Sequence, residues 1–387
     1  MHNTQWRAVL LAIAAQPAFW LAPQASGQDL VVGQVASQTS PVTAANSKGM
    51  YIGMKTYFDH ANSQGGVNGR PVKLVYKDDG LKPGAMVAMT KEFVADKDVL
   101  ALAGYVNTGG LTEMAKGNVA GEAGIALISP LQGDKSIVGA PNIFPFRSGY
   151  PDEVQALIKE AAATQKKKVA IVYWNVTFGP AIVPLAKEWV KKDNLNVAAW
   201  VEIDATPGAQ DKFEPIMKQA VAEVVKLQPD AIIMLISGRY SVEFVKQIKN
   251  SAAADTQLYA MSIVPVSDII KNVGESKARG IVIAQAVPFP FSATLPVVSE
   301  YQKAMHQYAP GEPYSFSTLE GFITAKITVE ALKRAGPKPT REKVLKALTA
   351  MGEHNLGGVY VNYSPKERLG WGGVDLTIIG ANGKLLR

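Results

Sequence analysis

Residues 167–174 read KKVAIVYW and residues 197–204 read VAAWVEID, two short runs rich in β-branched and aromatic residues with a helix-compatible stretch, 179–192, between them. Short apolar runs spaced by a helix length are the pattern of βαβ units and a parallel sheet. The rhythm continues through DAIIMLI (230–236) and QLYAMSI (257–263), with helix-compatible stretches at 151–164, 212–227 and 241–250. It also precedes this block. DLVVGQVA (29–36), PVKLVY (71–76), VLALAGY (99–105) and GIALIS (124–129) alternate with stretches at 48–62, 84–95 and 110–122. The expected fold is α/β, with two successive doubly wound, Rossmann-like lobes of similar size.

The remaining chain holds too few strands for a third domain. GIVIAQAV (280–287) is one more strand, and 296–308, 315–335 and 340–351 are helical, the last with Thr340 as N-cap. The economical expectation is that these helices rejoin the first lobe. The closing β segments GGVYVNYS (357–364) and VDLTIIGANGKLL (374–386) would then return to the second. Lobe 1 becomes 28–147 plus 288–354, and lobe 2 becomes 148–287 plus 355–387. The links fall near 144–150, 287–291 and 354–362, and a three-strand hinge of this kind favours one closure motion over free tumbling.

With 387 residues, 47% of them hydrophobic, the chain has material for one or two α/β cores and not the composition of disorder. At the N-terminus, His2 and Arg7 precede an apolar run at 8–20 and then small residues, which reads as a secretory signal peptide over 1–27. Cleavage after Gly27 would leave Ala25 and Gly27 at the small-residue positions. No later run approaches the roughly 18 apolar residues of a membrane helix, so no membrane insertion is expected. The absence of cysteine excludes disulfides, thiolate metal sites and a lipid-modified cysteine anchor, which favours the periplasm over a tethered lipoprotein.

The formal charge is +7, and removing a signal that contains Arg7 and no acid leaves 39 basic against 33 acidic residues, or +6. The lysines are scattered. Their one dense run, 166–168, reads as a solvated helix end, and nucleic acid is not expected as a partner. Nucleotide and hydrolase signatures are missing: there is no G-x-G-x-x-G after a strand, no G-x-x-x-x-G-K-[ST] and no G-x-S-x-G. His2, His60, His306 and His354 are dispersed, so neither a histidine metal cluster nor a catalytic triad is indicated. No enzyme activity, cofactor or metal is expected.

The stretch GMKTYFDHANSQGGVNGRPVKLVYKDD (53–79) resembles the leucine/isoleucine/valine-binding family of type I periplasmic solute-binding proteins. AGYVNTGGLT (103–112), ISP (128–130), FPFR (144–147) and VAIVYWNVTFG (169–179) extend the likeness in matching order over the mature chain. The resemblance implies a monomeric, extracytoplasmic receptor that closes on a small organic molecule and delivers it to the membrane permease of an ABC importer. A soluble sensor that docks on a separate signalling protein is the alternative.

In open α/β sheets ligands bind beyond the carboxyl ends of strands, so the expected site lies in the segments 40–46, 105–109, 131–134, 175–178, 238–240 and 262–264. By the resemblance, Thr108 stands where the family binds a ligand carboxylate with a hydroxyl, an arrangement that Gly109 and Gly110 would support with free backbone N–H groups. A plain N-cap threonine fits equally well. Asn107 and Tyr105 are weaker neighbours. Leu131, Gln132 and Gly133 occupy the place of an alanine/threonine segment; the threonine is missing, and the Gln132 amide could replace it. Phe178 aligns with an aromatic wall, whereas Trp174 ends an apolar strand and is expected in the core. Asn46 suits either the pocket or the N-cap of a helix starting at Lys48. Tyr240 and Arg239 are second-lobe candidates, with Arg239 alternatively paired to Glu243. At the first link Arg147 is expected to fix the hinge and Tyr150 to serve hinge or ligand. Amino-acid binders of the family tend to carry an acidic residue near 261–264, and MSIVPV (261–266) has none. An unpaired buried ammonium would cost several kcal/mol, so carboxylic acids and amides stand beside amino acids as ligands.

Overall fold

The computed structural model describes residues 27–40, 43–176 and 178–387, so the expected signal peptide, Gly27 apart, lies outside the described residues. In chain order the strands are β1 Leu30–Ala36, β2 Val72–Asp78, β3 Val99–Ala103, β4 Leu127–Ile128, β5 Ile143–Phe144, β6 Val169–Trp174, β7 Val197–Ile203 and β8 Ala231–Leu235. They continue with β9 Gln257–Ala260, β10 Val282–Gln285, β11 Gly352–Asn355, β12 Tyr360–Tyr363, β13 Arg368–Leu369, β14 Asp375–Ile379 and β15 Leu385–Leu386. The first sheet has the order β2-β1-β3-β4-β5 and is parallel throughout. In the second, β7-β6-β8-β9-β10 repeats that order in parallel, and β14 and β15 extend it antiparallel.

Both sheets are covered on both faces, which is why their strands read as continuous apolar runs rather than alternating ones. Along β8, Ile232 and Met234 enter one core while Ala231, Ile233 and Leu235 enter the other. In the first sheet Leu127 and Ile128 divide in the same way. The chain therefore folds as two doubly wound α/β lobes, the type I periplasmic binding protein architecture.

The helices Pro296–Tyr308, Phe316–Arg334 and Arg341–Thr349 pack on the first sheet through Tyr301, Phe322 and Leu348. Thr340 caps the last of them, its hydroxyl accepting the Lys343 N–H at 3.3 Å. The Phe316–Arg334 helix crosses the Ala44–Ser63 helix closely enough that a Cβ on Gly53 would stand 1.9 Å from the Thr318 carbonyl oxygen. Only glycine fits this crossing.

One β segment departs from expectation. GGVYVNYS was expected on the second sheet, yet β12 joins β11 and β13 in a small antiparallel sheet. It buries Val361 and Tyr363 in the first core, and the Tyr363 hydroxyl donates to the Pro145 carbonyl at 2.7 Å. The alternation of β12 signals a strand with one buried face, and alternation carries no information about which core that face meets.

Consequently the third link runs later than 354–362. Trp371 N–H donates to the Phe146 carbonyl at 2.6 Å, the Ser148 hydroxyl donates to the Gly373 carbonyl, and Ser148 N–H donates to the Ala286 carbonyl at 3.2 Å. The three links thus lie side by side, joined by hydrogen bonds.

Candidate ligand-binding site

In both sheets the connections diverge at the point where the order reverses, between β1 and β3 and between β6 and β8, which opens a crevice at the carboxyl ends of the strands. A cavity of about 250 Å³ lies there and is lined from both lobes. Thr43 and Asn46 follow β1, Leu81 follows β2, Val106 to Gly109 follow β3 and Leu131 follows β4. From the other side come Tyr150, Trp174 and Phe178 around β6, Ser237 and Gly238 after β8, and Ile263 after β9. A larger groove of about 730 Å³ between the Ala85–Ala95 and Thr108–Lys116 helices is lined by the first lobe alone.

Thr108 lines the cavity as the first residue of its helix, but Asn107 is the N-cap, its side-chain oxygen accepting the Gly110 N–H at 3.2 Å. The Asn107 amide donates to the buried Asp79 carboxylate at 2.7 Å. Thr108 is thereby released from capping. Its hydroxyl oxygen accepts from the Gln132 amide at 3.2 Å, and with that lone pair engaged its own O–H is available to donate.

Gln132 itself is fully buried and does not line the cavity. Its amide oxygen accepts the N–H groups of Gly133 and Asp134 at 2.9 and 3.0 Å, so it shapes the loop and holds Thr108. Gly133 also faces protein: a Cβ there would meet the Tyr150 ring at 2.6 Å. Tyr105 is completely buried in the outer core of the first lobe, where Thr90 donates to its hydroxyl at 3.2 Å, and burial raises its pKa. Asn46 is the third residue of a helix that starts at Ala44, not a cap, and accepts from the Ser317 hydroxyl at 2.8 Å.

On the second lobe Trp174 packs against both cores, as its strand predicts, and also reaches the cavity, whereas Tyr240 does not line it. Trp174 lines the cavity together with Phe178 and Tyr150, the Phe178 ring centroid lying 4.9 Å from Tyr150 and 5.7 Å from Trp174. Tyr240 instead packs behind them, edge-on to Trp174 at 5.7 Å and to Phe213 at 5.0 Å. The Arg239 guanidinium lies over the Phe213 ring at 4.3 Å and does not line the cavity, while Glu243 pairs with Lys246 at 3.2 Å. Helix periodicity explains the position of Tyr240. At the start of the Gly238–Ile248 helix Ser237 and Gly238 line the crevice, and the next residues turn onto the helix flank. Leu81 and Ser237 were missed, although the strand-end rule that located the other loops applies equally to β2 and to the last residue before a helix.

Beside the cavity, Arg147 spans the hinge. Its guanidinium donates to the Ser262 hydroxyl at 2.9 Å and stands 3.5 Å from the Glu320 carboxylate, without hydrogen-bond geometry. Glu153, fully buried, accepts the Ser262 N–H at 2.7 Å and its hydroxyl at 3.0 Å. Burial pushes the Glu153 carboxyl up to about 7 against the opposing pull of Arg147 and Ser262, and burial raises Glu320 as well. For Arg147 burial works to lower the pKa, and the two carboxylates outweigh it. Among the described residues no helix is long and apolar enough to cross a membrane, and no cluster of histidine and acidic side chains has the arrangement of a metal site.

Residues 29–370 match the family described as periplasmic binding protein. Among curated relatives, the "Leu/Ile/Val-binding protein homolog 2" of Brucella abortus is 29% identical over 215 residues, 54% of this chain and 56% of that protein. An "Amino acid binding protein" of Pseudomonas aeruginosa is 25% identical over 195 residues, 50% and 51% of the two chains, so the match spans about half the length of these relatives. The crystal structure of a substrate-binding periplasmic protein from Ralstonia solanacearum superposes with a TM-score of 0.81 at 26% identity, covering 92% of this chain and 99% of that one. By the extent of the family match and the shared two-lobed fold, this chain belongs to the periplasmic binding protein family.

Proposed function

We propose that the protein is an extracytoplasmic solute receptor that closes its lobes on a small organic molecule, an amino acid or related carboxylate or amide, and delivers it to the permease of an ABC importer. The observation that carries this reading is the cavity lined from both lobes at the strand ends. Its volume is just under the roughly 300 Å³ at which drug-sized sites begin, which suits a small solute. Tyr150, Trp174 and Phe178 supply stiff apolar walls, and Thr108 supplies a positioned donor for a ligand oxygen. Neither lobe alone presents the whole set, so ligand affinity is greatest when the lobes meet.

A thermal-shift screen over amino acids, carboxylic acids and small amides tests the reading. A solute at 100 times its Kd stabilises the fold by about 2.7 kcal/mol, which shifts the melting temperature measurably. The shift should disappear in the cleft variant Thr108→Ala/Trp174→Ala. A solute that stabilises wild type and variant equally would place binding elsewhere.

A further inference from the structure

We infer that the cleft selects carboxylic acids with an apolar body and no α-ammonium group, because its wall holds hydrogen-bond donors and helix N-termini but no carboxylate for a cation. This rests on the solute-binding reading above and narrows its ligand class.

The residues with polar side chains that line the cavity include Thr43, Asn46, Asn107, Thr108, Ser237 and Tyr150, with no aspartate or glutamate among the lining residues. Two carboxylates lie near, behind the wall. Asp79 has one oxygen engaged by Asn107 at 2.7 Å and the other by the Leu81 N–H at 3.1 Å. Glu153 has one oxygen engaged by the Ser262 N–H and the other by the Ser262 hydroxyl, with Arg147 bonded to that same hydroxyl. The oxygens of these two are thus engaged by protein donors, and a third carboxylate, Glu320, does not line the cavity and stands 3.5 Å from the Arg147 guanidinium, which offsets its charge. A ligand ammonium would leave water for a cavity with no anion on its surface, and an unpaired buried charge is costly.

What the cavity presents is the opposite polarity. Its lining includes the first turns or caps of the helices Ala44–Ser63, Thr108–Lys116, Gly179–Lys192 and Gly238–Ile248. Helix N-termini carry partial positive charge and unpaired N–H groups, which favour an anion and disfavour a cation. One side-chain donor points to an acceptor group on the ligand independently of the helices. The Thr108 hydroxyl already accepts from Gln132, so its proton needs another acceptor. A carboxylate meets that requirement and suits the helix N-termini, and Val106, Leu131, Phe178 and Ile263 accommodate its apolar remainder.

Isothermal titration with matched pairs that differ only by the ammonium group decides the matter: leucine against 4-methylpentanoate, and phenylalanine against 3-phenylpropanoate, with 3-phenylpropanamide as a neutral control. In at least one pair the acid should bind tenfold or more tightly than its amino acid and more tightly than the amide, and Thr108→Val should weaken the acid at least fivefold. Equal or tighter binding of an amino acid would overturn the ligand class and leave solute binding standing. An amide that matches its acid would overturn the anion argument in the same way. No binding by any of these probes overturns the ligand class, and if the wider thermal screen is also silent, the solute-binding reading falls with it.

Discussion

Gln132 and Thr108 meet through one hydrogen bond, and truncating them should have different consequences. Gln132→Ala would strip partners from the Gly133 and Asp134 N–H groups at a fully buried position, a loss of about 1 to 3 kcal/mol that a denaturant titration would read directly. Thr108→Ala removes a half-buried hydroxyl that caps nothing, so its melting temperature should stay near wild type while ligand affinity falls by about 1 to 3 kcal/mol. If Thr108→Ala melts as low as Gln132→Ala, the hydroxyl serves the fold. Tyr240 belongs with the structural residues, since its ring is wedged between Trp174 and Phe213; Tyr240→Ala should cost about 3 kcal/mol of stability, in the range of other buried aromatic truncations.

At the scale of elements, the Tyr150–Ala163 and Phe316–Arg334 helices, the first link and the loop after β9 meet in the group formed by Glu153, Glu320, Arg147 and Ser262. Two carboxylates share one guanidinium, with the Tyr150 phenol beside them, and burial holds Glu153 near 7 instead of the ordinary 4.5. A carboxyl whose folded pKa is raised binds its proton more tightly in the folded chain. Its contribution is therefore greatest below pH 4.5 and is lost as pH rises towards 7. Glu153→Gln has no proton to lose there, so between pH 5 and 8 the melting temperature of wild type should fall relative to this variant by a few degrees. A difference constant across that range would mean that Glu153 stays ionised throughout. Removing the cation is a harsher change: Arg147→Met leaves two buried carboxylates unpaired and should destabilise by about 3 kcal/mol or more.

At the scale of the whole molecule, the links are bonded to one another through Phe146 with Trp371, and Ser148 with Ala286 and Gly373. Strands tied in this way bend together, which restricts the lobes to one hinge axis. A ligand bound by both lobes should bias that hinge by its differential affinity for the closed arrangement. Small-angle scattering is expected to give a smaller radius of gyration with bound solute than without it. Identical scattering curves with and without a solute that demonstrably binds would remove closure from the mechanism.

Much of this architecture is legible in the amino-acid sequence. Strands buried on both faces must be continuously apolar, and parallel strands need crossover helices, so the alternation of short apolar runs with helical stretches determined two doubly wound sheets and the strand ends that carry the cavity. Local signals such as the Thr340 cap were also determined in this way, because a cap depends on its own first turn. Long-range pairing and side-chain direction were decided by the tertiary structure. The pattern of β12 fits either lobe, and it is the pairing with β11 and β13 that places Val361 and Tyr363 in the first core. Trp174 and Tyr240 are both aromatic residues near strand ends, and it is the helix entered after Ser237 that turns Tyr240 away and leaves Trp174 on the cavity. Period and propensity constrain the backbone of a single element, whereas the atoms that a side chain meets belong to segments far away in the sequence.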